Sequence, residues 1–331
     1  MELRVIHYFL AVVQEKTISG AAKQLHVSQP TLSKQLKELE EELGVTLFIR
    51  GNRQIQLTPE GEYLAKQGQD ILSLANKTVT NLSQNEFING EITIGGGETK
   101  AMSFLANALQ QITSQHSADI HLHLYSGNAD DVIERLDKGL LDFGLIIEPA
   151  PKQKYSYLTL PVVDTWGLIT VKDHPLATKN VITAADLKEE PLFISRQAQV
   201  PSQLSDWLEA SLDQFRIVGT YNLLYNASLM VEAGLGSALS IDGILETKQT
   251  NLRFIPLYPA LTAKISLIWR KNTVLSTAAA LFLEQIKKVF NALNNRSLNT
   301  FLNHHCDRSC SQNQNQADNR YGHFLGCFLL T

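Results

Sequence analysis

The chain has 331 residues, of which 44% are hydrophobic and 19% charged, with a net charge of −4. This is the composition of a globular protein with a real core, long enough for two or three domains. Nothing global in the charge demands nucleic acid or a membrane, so any basic surface must be local, and no apolar run reaches the roughly 18–20 residues of a transmembrane helix.

The opening apolar block, Val5 to Val13, is followed by no small-residue cleavage site. Gln14-Glu15-Lys16 continue a helical pattern, so the block reads as the buried first helix of a cytoplasmic protein rather than a signal peptide. Val5, Ile6, Phe9, Leu10 and Val13 form its inner stripe. Thr17 or Ser19 can cap a second, short helix with Ile18, Ala21, Ala22 and Leu25 inward. After His26-Val27, Ser28 is an N-cap and Pro30 fits the first turn of a third helix, where its missing N–H costs nothing. Val27 and Leu32 fit a hydrophobic staple, and Leu32, Leu36, Leu39 and Leu43 make one buried stripe. Two helices joined by a tight turn, the second well capped, make a helix-turn-helix over about residues 18–37.

The outward face of the third helix carries Gln29, Pro30, Thr31, Ser33, Lys34 and Lys37, where a recognition helix would enter the major groove of double-stranded DNA. Gln29 suits a base edge, and Lys34 a guanine or a phosphate. Residues 1–60 balance seven Lys/Arg against seven Asp/Glu, but residues 16–37 hold four lysines and no acid. The expected surface is therefore polarised rather than basic, which favours binding as a dimer. Thr46–Arg50 and Gln54–Leu57 alternate around Gly51-Asn52, a hairpin signal. As a wing after the recognition helix, it puts Arg50 and Arg53 at phosphates or a narrow minor groove, unless they are solvated turn residues.

Residues 9–61, "FLAVVQEKTISGAAKQLHVSQPTLSKQLKELEEELGVTLFIRGNRQIQLTPEG", resemble the N-terminal domain of LysR-type transcriptional regulators nearly position for position. The alanine pair, Ser-Gln-Pro, the Leu-Gly-Val-x-Leu-Phe-x-Arg wing and the Leu-Thr-x-x-Gly exit carry the resemblance. Thr58 and Pro59 then start a helix reaching about Gln84, and its 26 residues span roughly 39 Å. Apolar or small residues at 64, 68, 71, 75, 78 and 82 approximate a heptad, a stripe too long for one small domain to bury. The resemblance makes it the dimerisation arm of a homodimer or homotetramer, followed by a hinge.

From Glu91 strand and helix patterns alternate, which implies an α/β domain with a parallel sheet and ligands at the carboxyl ends of its strands. "DKGLLDFGLI", "LMVEAGLGSAL" and "ISLIWRKN" resemble the effector-binding domain of the same family, with the fold of periplasmic solute-binding proteins. The expected architecture is an all-α winged helix-turn-helix with a long linker helix, then two Rossmann-like subdomains. Its boundaries are 1–58 for DNA binding, 59–88 for the linker, 91–161 with 265–290 for the first subdomain and 162–264 for the second. The crossovers fall near Pro161–Val162 and Lys264.

Gly95-Gly96-Gly97, followed by Glu98, Thr99 and Lys100, fits neither a dinucleotide fingerprint nor a P-loop. No catalytic or metal-spaced set precedes the tail, so the expectation is a non-enzyme without cofactor. The glycine N–H groups and a helix N-terminus still suit an anion. The resemblance gives Thr99 a role in holding a carboxylate or similar effector group; alternatively it only caps its own helix. Gly97, Lys100 and Asn128 line the same lip, and Ser195, Arg196, Gln197 and Asn222 the second subdomain. Arg196 is either a bidentate anion partner or a surface residue. The chain departs from the family at Ala129, where a hydroxyl is usual, and at Ile241, where a proline is usual. Residues 291–331, with Cys306, Cys310, Cys327, His304 and His305, lack periodicity and read as a disordered or non-native extension. The reading is thus a DNA-binding regulator modulated by a small anionic effector; the alternative is a ligand-binding or metabolic α/β protein with an accessory N-terminal domain.

Overall fold

A computed structural model describes residues 1–50, 55–82, 89–115, 119–196, 203–210 and 212–293. The N-terminal unit comprises α1 (Leu3–Glu15), α2 (Ile18–Gln24) and α3 (Gln29–Leu43), then a hairpin of β1 (Phe48–Arg50) and β2 (Ile55–Leu57). Its core gathers Phe9, Val12, Ala21, Leu32, Leu36, Leu39 and Leu47. Two sequence assignments shift. Val12 rather than Val13 is fully buried on α1, and Leu43 is 38% exposed. Leu43 is the last residue of α3, and Gly44 then turns left-handed (φ 69°) and leads the chain off the bundle.

Helix α4 (Pro59–Leu82) follows, its first turn capped by Thr58, whose hydroxyl accepts the Gly61 N–H at 2.9 Å. Gly61 has no room for a side chain: an added Cβ would lie 2.2 Å from the Leu47 carbonyl oxygen. The start of α4 buries Gly61, Leu64 and Gly68 against the helical bundle. Further along, Ile71, Leu74, Val79 and Leu82 are exposed.

The rest of the chain builds β3 (Asn89–Gly96), α5 (Met102–Gln115), β4 (Asp119–Ser126), α6 (Ala129–Asp137) and β5 (Phe143–Ile147). The long β6 (Tyr155–Val171) comes next, then β7 (Leu192–Ser195), α7 (Gln203–Leu208), β8 (Ile217–Tyr221) and α8 (Leu224–Glu232). It ends with β9 (Ser237–Ile241), β10 (Leu252–Pro256), β11 (Thr262–Arg270) and a helix over residues 277–293, α9. The strand order is β4-β3-β5-β11-β6-β9-β7-β8, with β10 also on β6.

The sheet is mixed rather than parallel. β3 pairs in parallel with β4 and β5, and β7 with β8 and β9. β6 and β11 run antiparallel to each other and to their other neighbours. They can do so because they join the two halves by direct strand pairing instead of helical crossovers. The β6–β11 register shifts between Lys264 and Ser266, opposite Leu160-Pro161-Val162. Pro161 has no N–H to give a ladder, so an irregular step there loses little.

Each half has its own core. Ile92, Phe104, Leu105, Phe143, Leu267 and Phe282 fill the first. Leu168, Leu192, Ile194, Leu204 and Leu239 fill the second. The expected tail loses its first three residues to α9, which continues through residue 293; the remainder, with all three cysteines, lies outside the described residues.

Candidate functional site

The exposed end of α3 is set up by local capping. The Ser28 hydroxyl accepts the Thr31 N–H at 3.3 Å and bonds the Thr31 hydroxyl at 2.7 Å. Thr31 is therefore tied into the cap, while Gln29, Pro30, Lys34 and Lys37 are exposed beside a half-buried Ser33. The lysines of this face do not stand apart from the acids that follow them on α3. They interlock: Lys34 lies 3.7 Å from Glu38 and Lys37 lies 3.3 Å from Glu41. Such exposed i,i+4 pairs are weak and screened by salt, so a phosphate can replace them.

Glu40, not assigned a role from sequence, fixes the hairpin against α3. Its carboxylate accepts the N–H of Leu47 at 2.7 Å and of Phe48 at 3.3 Å. The second strand is held from the other side, Ile55 N–H donating to the Lys16 carbonyl at 3.0 Å. The hairpin is thereby fixed to the C-terminal half of α3 and to the turn before α2. Arg50 ends β1; its side chain, and all of Arg53, lie outside the described residues.

In the second candidate site the glycine run divides. Gly95 and Gly96 belong to β3, between β4 and β5. A Cβ on Gly95 would come within 2.4 Å of the Leu141 side chain. These two glycines serve close strand and helix packing and do not form an anion cradle, a correction to the sequence reading. Gly97 alone stands on the lip, followed by Glu98, Thr99 and Lys100, all half-buried.

Each of the last three reaches across to a different element. Glu98 accepts the N–H of Leu224, at the start of α8, at 2.5 Å. Thr99 accepts the Ala101 N–H at 3.0 Å and donates to Asp164 Oδ2, on β6, at 2.5 Å. Thr99 therefore both caps locally and ties the start of α5 to β6. Lys100 Nζ lies 3.1 Å from Asp242, just past β9. Asp164 is completely buried, and burial pushes its carboxyl above the usual aspartate range, against the opposing Thr99 bond and the Lys100 charge. Tyr221, at the end of β8, donates to the Leu239 carbonyl at 2.6 Å, and burial raises its pKa.

Of the other sequence candidates, Asn128 caps α6 through the Asp131 N–H at 2.9 Å. Ser195 is half-buried at the end of β7, and Arg196 and Asn222 are exposed; Gln197 lies outside the described residues. Ser195 is in register with Tyr221, next to Asn222, so these groups share one edge. Sequence reasoning missed Glu98, Asp164 and Asp242. Only Asp164 left a trace, as a lone charge within the apolar run "LPVVDTWGLI". Among the described residues there is no His/Cys/Asp/Glu group able to hold a metal ion, and no helix long and apolar enough to cross a membrane.

Residues 3–62 match the family described as bacterial regulatory helix-turn-helix protein, lysR family, and residues 85–291 match the LysR substrate binding domain. An uncharacterised HTH-type transcriptional regulator of Bacillus subtilis (strain 168), YwbI, is 30% identical over 292 residues, covering 87% of this chain and 96% of its own. The Hca operon transcriptional activator HcaR of Escherichia coli (strain K12) is 30% identical over 259 residues, covering 76% and 84%. The crystal structure of CbnR, a LysR family transcriptional regulator, shares the fold with a TM-score of 0.70 at 21% identity, over 88% of this chain and 99% of CbnR. A second CbnR structure, complexed with its target DNA, gives 0.69 at 22% identity, over 87% and 99%.

Proposed function

The chain belongs to the LysR family of transcriptional regulators, a helix-turn-helix domain joined to an effector-binding domain, and we propose that it binds a two-fold symmetric double-stranded DNA site as a homodimer or a pair of dimers. Gln29, Pro30, Ser33, Lys34 and Lys37 enter the major groove, Thr31 orders the helix end that presents them, and Arg50 and Arg53 hold the flanking backbone. The observation that carries this reading is the capped, exposed N-terminal half of α3 with a hairpin pinned to the C-terminal half of the same helix through Glu40. CbnR complexed with its target DNA supports the same role for this fold.

The functional divisions follow the sequence boundaries: residues 1–58 bind DNA, 59–88 link and dimerise, and the two halves of the remainder enclose an effector cleft. Its lips are Gly97 to Lys100 and Asn128 on one side, and Ser195, Arg196 and Asn222 on the other. A small effector with an anionic group sits between them. Lys100 and the exposed Arg196 supply positive charge. The effector acts by binding one arrangement of the halves better than another.

Electrophoretic retardation of genomic DNA fragments by the full chain tests the DNA assignment. Selective retardation that weakens in Lys34→Ala and Lys37→Ala supports it; retardation indifferent to both substitutions removes α3 from the interface.

A further inference from the structure

Asp164 stands where the two halves meet, on β6, with no exposed surface. One carboxylate oxygen, Oδ2, accepts the Thr99 hydroxyl. The other, Oδ1, is buried and meets no hydrogen-bond donor among the described residues. A buried carboxylate oxygen left without a donor is costly, and groups in this state occur where something else supplies the bond.

The neighbouring side chains do not supply it. Lys100, the cation nearest the lip, points its ammonium at Asp242. Glu98 is engaged with the Leu224 N–H. Two carboxylates, Asp164 and Asp242, act on each other here, and the Lys100 charge that offsets them is already paired with Asp242. That balance favours a ligand bringing positive charge over one bringing a neutral hydroxyl. The bridges from Glu98 and Lys100 both span the lips, so parting the lips opens the way to Asp164.

We infer that the effector carries an amino group, whose ammonium donates to Asp164 Oδ1 while its acidic group takes the subsites proposed above. The effector is then a zwitterion of the amino-acid class rather than a plain carboxylate. This rests on the effector-cleft reading, and it makes Asp164 the residue that determines specificity for the amine.

The test is thermal unfolding of the full chain with each common amino acid, its 2-hydroxy counterpart and its desamino counterpart, for wild type, Asp164→Asn and Thr99→Val. Asp164→Asn keeps the carboxamide in the same space, so its unliganded Tm stays at or above that of wild type. At least one amino acid is expected to raise the wild-type Tm while its desamino counterpart does not. Asp164→Asn should weaken that ligand's binding by about tenfold or more, the worth of a charged hydrogen bond. Equal shifts from the desamino acid, no shift from any amino acid, or undiminished binding to Asp164→Asn overturns the amine assignment. If a desamino acid binds and Thr99→Val weakens it, the cleft reading stands and only the amine fails. If a ligand binds equally to wild type and both variants, the cleft reading falls as well.

Discussion

The carboxylate of Glu98 accepts the backbone N–H of Leu224 at 2.5 Å, so a side chain from the first half of the effector domain caps a helix of the second. Leu223, at the N-cap position of α8, makes no side-chain cap bond of its own. Glu98 fills that place from outside, where the helix dipole favours an anion. Glu98→Ala should release the first turn of α8. Loss of a cap costs about 1 kcal/mol, or about fivefold in local opening, readable as faster amide exchange at Leu224. Unchanged exchange would show that the contact does not hold the helix end.

Asp164 should make stability depend on pH in an unusual direction for an acid. Burial raises its folded-state pKa above the ordinary 3.8, so the folded state binds the proton more tightly than the unfolded chain. Its contribution is therefore most favourable at low pH and is lost as pH rises through the raised value. The Tm of Asp164→Asn minus that of wild type should accordingly grow between about pH 4 and pH 7. A difference that is flat or shrinks over this range would mean that the carboxyl is better solvated or better paired than its burial indicates.

The linker helix is clamped to the effector domain through Lys77, which lies 2.8 Å from Asp142 Oδ1, both side chains being nearly buried at 12% and 10% exposure. Asp142 Oδ2 also accepts the Thr93 N–H and hydroxyl, each at 2.8 Å. Asp142→Ala would leave the ammonium with only the Thr93 hydroxyl, at 2.6 Å, as partner, where breaking a buried pair costs about 3–5 kcal/mol. Because a little solvent reaches this one, the lower end is expected. Chemical denaturation measures it, and a loss below about 1 kcal/mol would show that the pair is freely replaced by water. A second bridge, Lys138 to Asp70 at 2.9 Å, is more exposed, and its removal should cost less than that of the Lys77 pair.

Beyond the DNA-binding bundle, α4 presents Ile71, Leu74 and Leu82 at 37%, 42% and 73% exposure. An apolar stripe on a helix of 24 residues, about 36 Å long, suits a second copy of the same helix. Leu74→Glu combined with Leu82→Glu should lower the sedimenting mass by at least half while circular dichroism stays native. An unchanged mass would place the dimer contact elsewhere.

What was legible in the sequence was local. Ser28, Pro30 and the Leu32–Leu36–Leu39 stripe announce a capped amphipathic helix because caps and the 3.6-residue period depend on neighbours in the chain. Thr58 and Pro59 do the same for α4. Gly97, Ser195 and Asn222 also fall at the carboxyl ends of β3, β7 and β8, as the alternation of strands and helices led one to expect. What the sequence hid was pairing at a distance. Thr99 to Asp164 spans 65 residues, Lys100 to Asp242 spans 142, and Glu98 to Leu224 spans 126. No period or spacing encodes these bonds; they follow from the antiparallel β6–β11 junction, which itself replaced the parallel sheet expected from alternating elements. Gly95 and Gly96 misled for a related reason: a glycine required by close packing of Leu141 looks the same in sequence as one required by a phosphate.

The central claim is that α3 and its hairpin read DNA, and protection mapping of genomic DNA by the purified full chain tests it most directly, comparing wild type with a Lys34→Ala, Arg53→Ala double variant. The account predicts a small set of protected sites with two-fold symmetry. Specific protection should be lost in the variant, each lost contact being worth about 1–3 kcal/mol, while its circular dichroism and oligomeric mass remain those of wild type. Protection of the same sites by the folded variant, or no protected site with wild type, would contradict it.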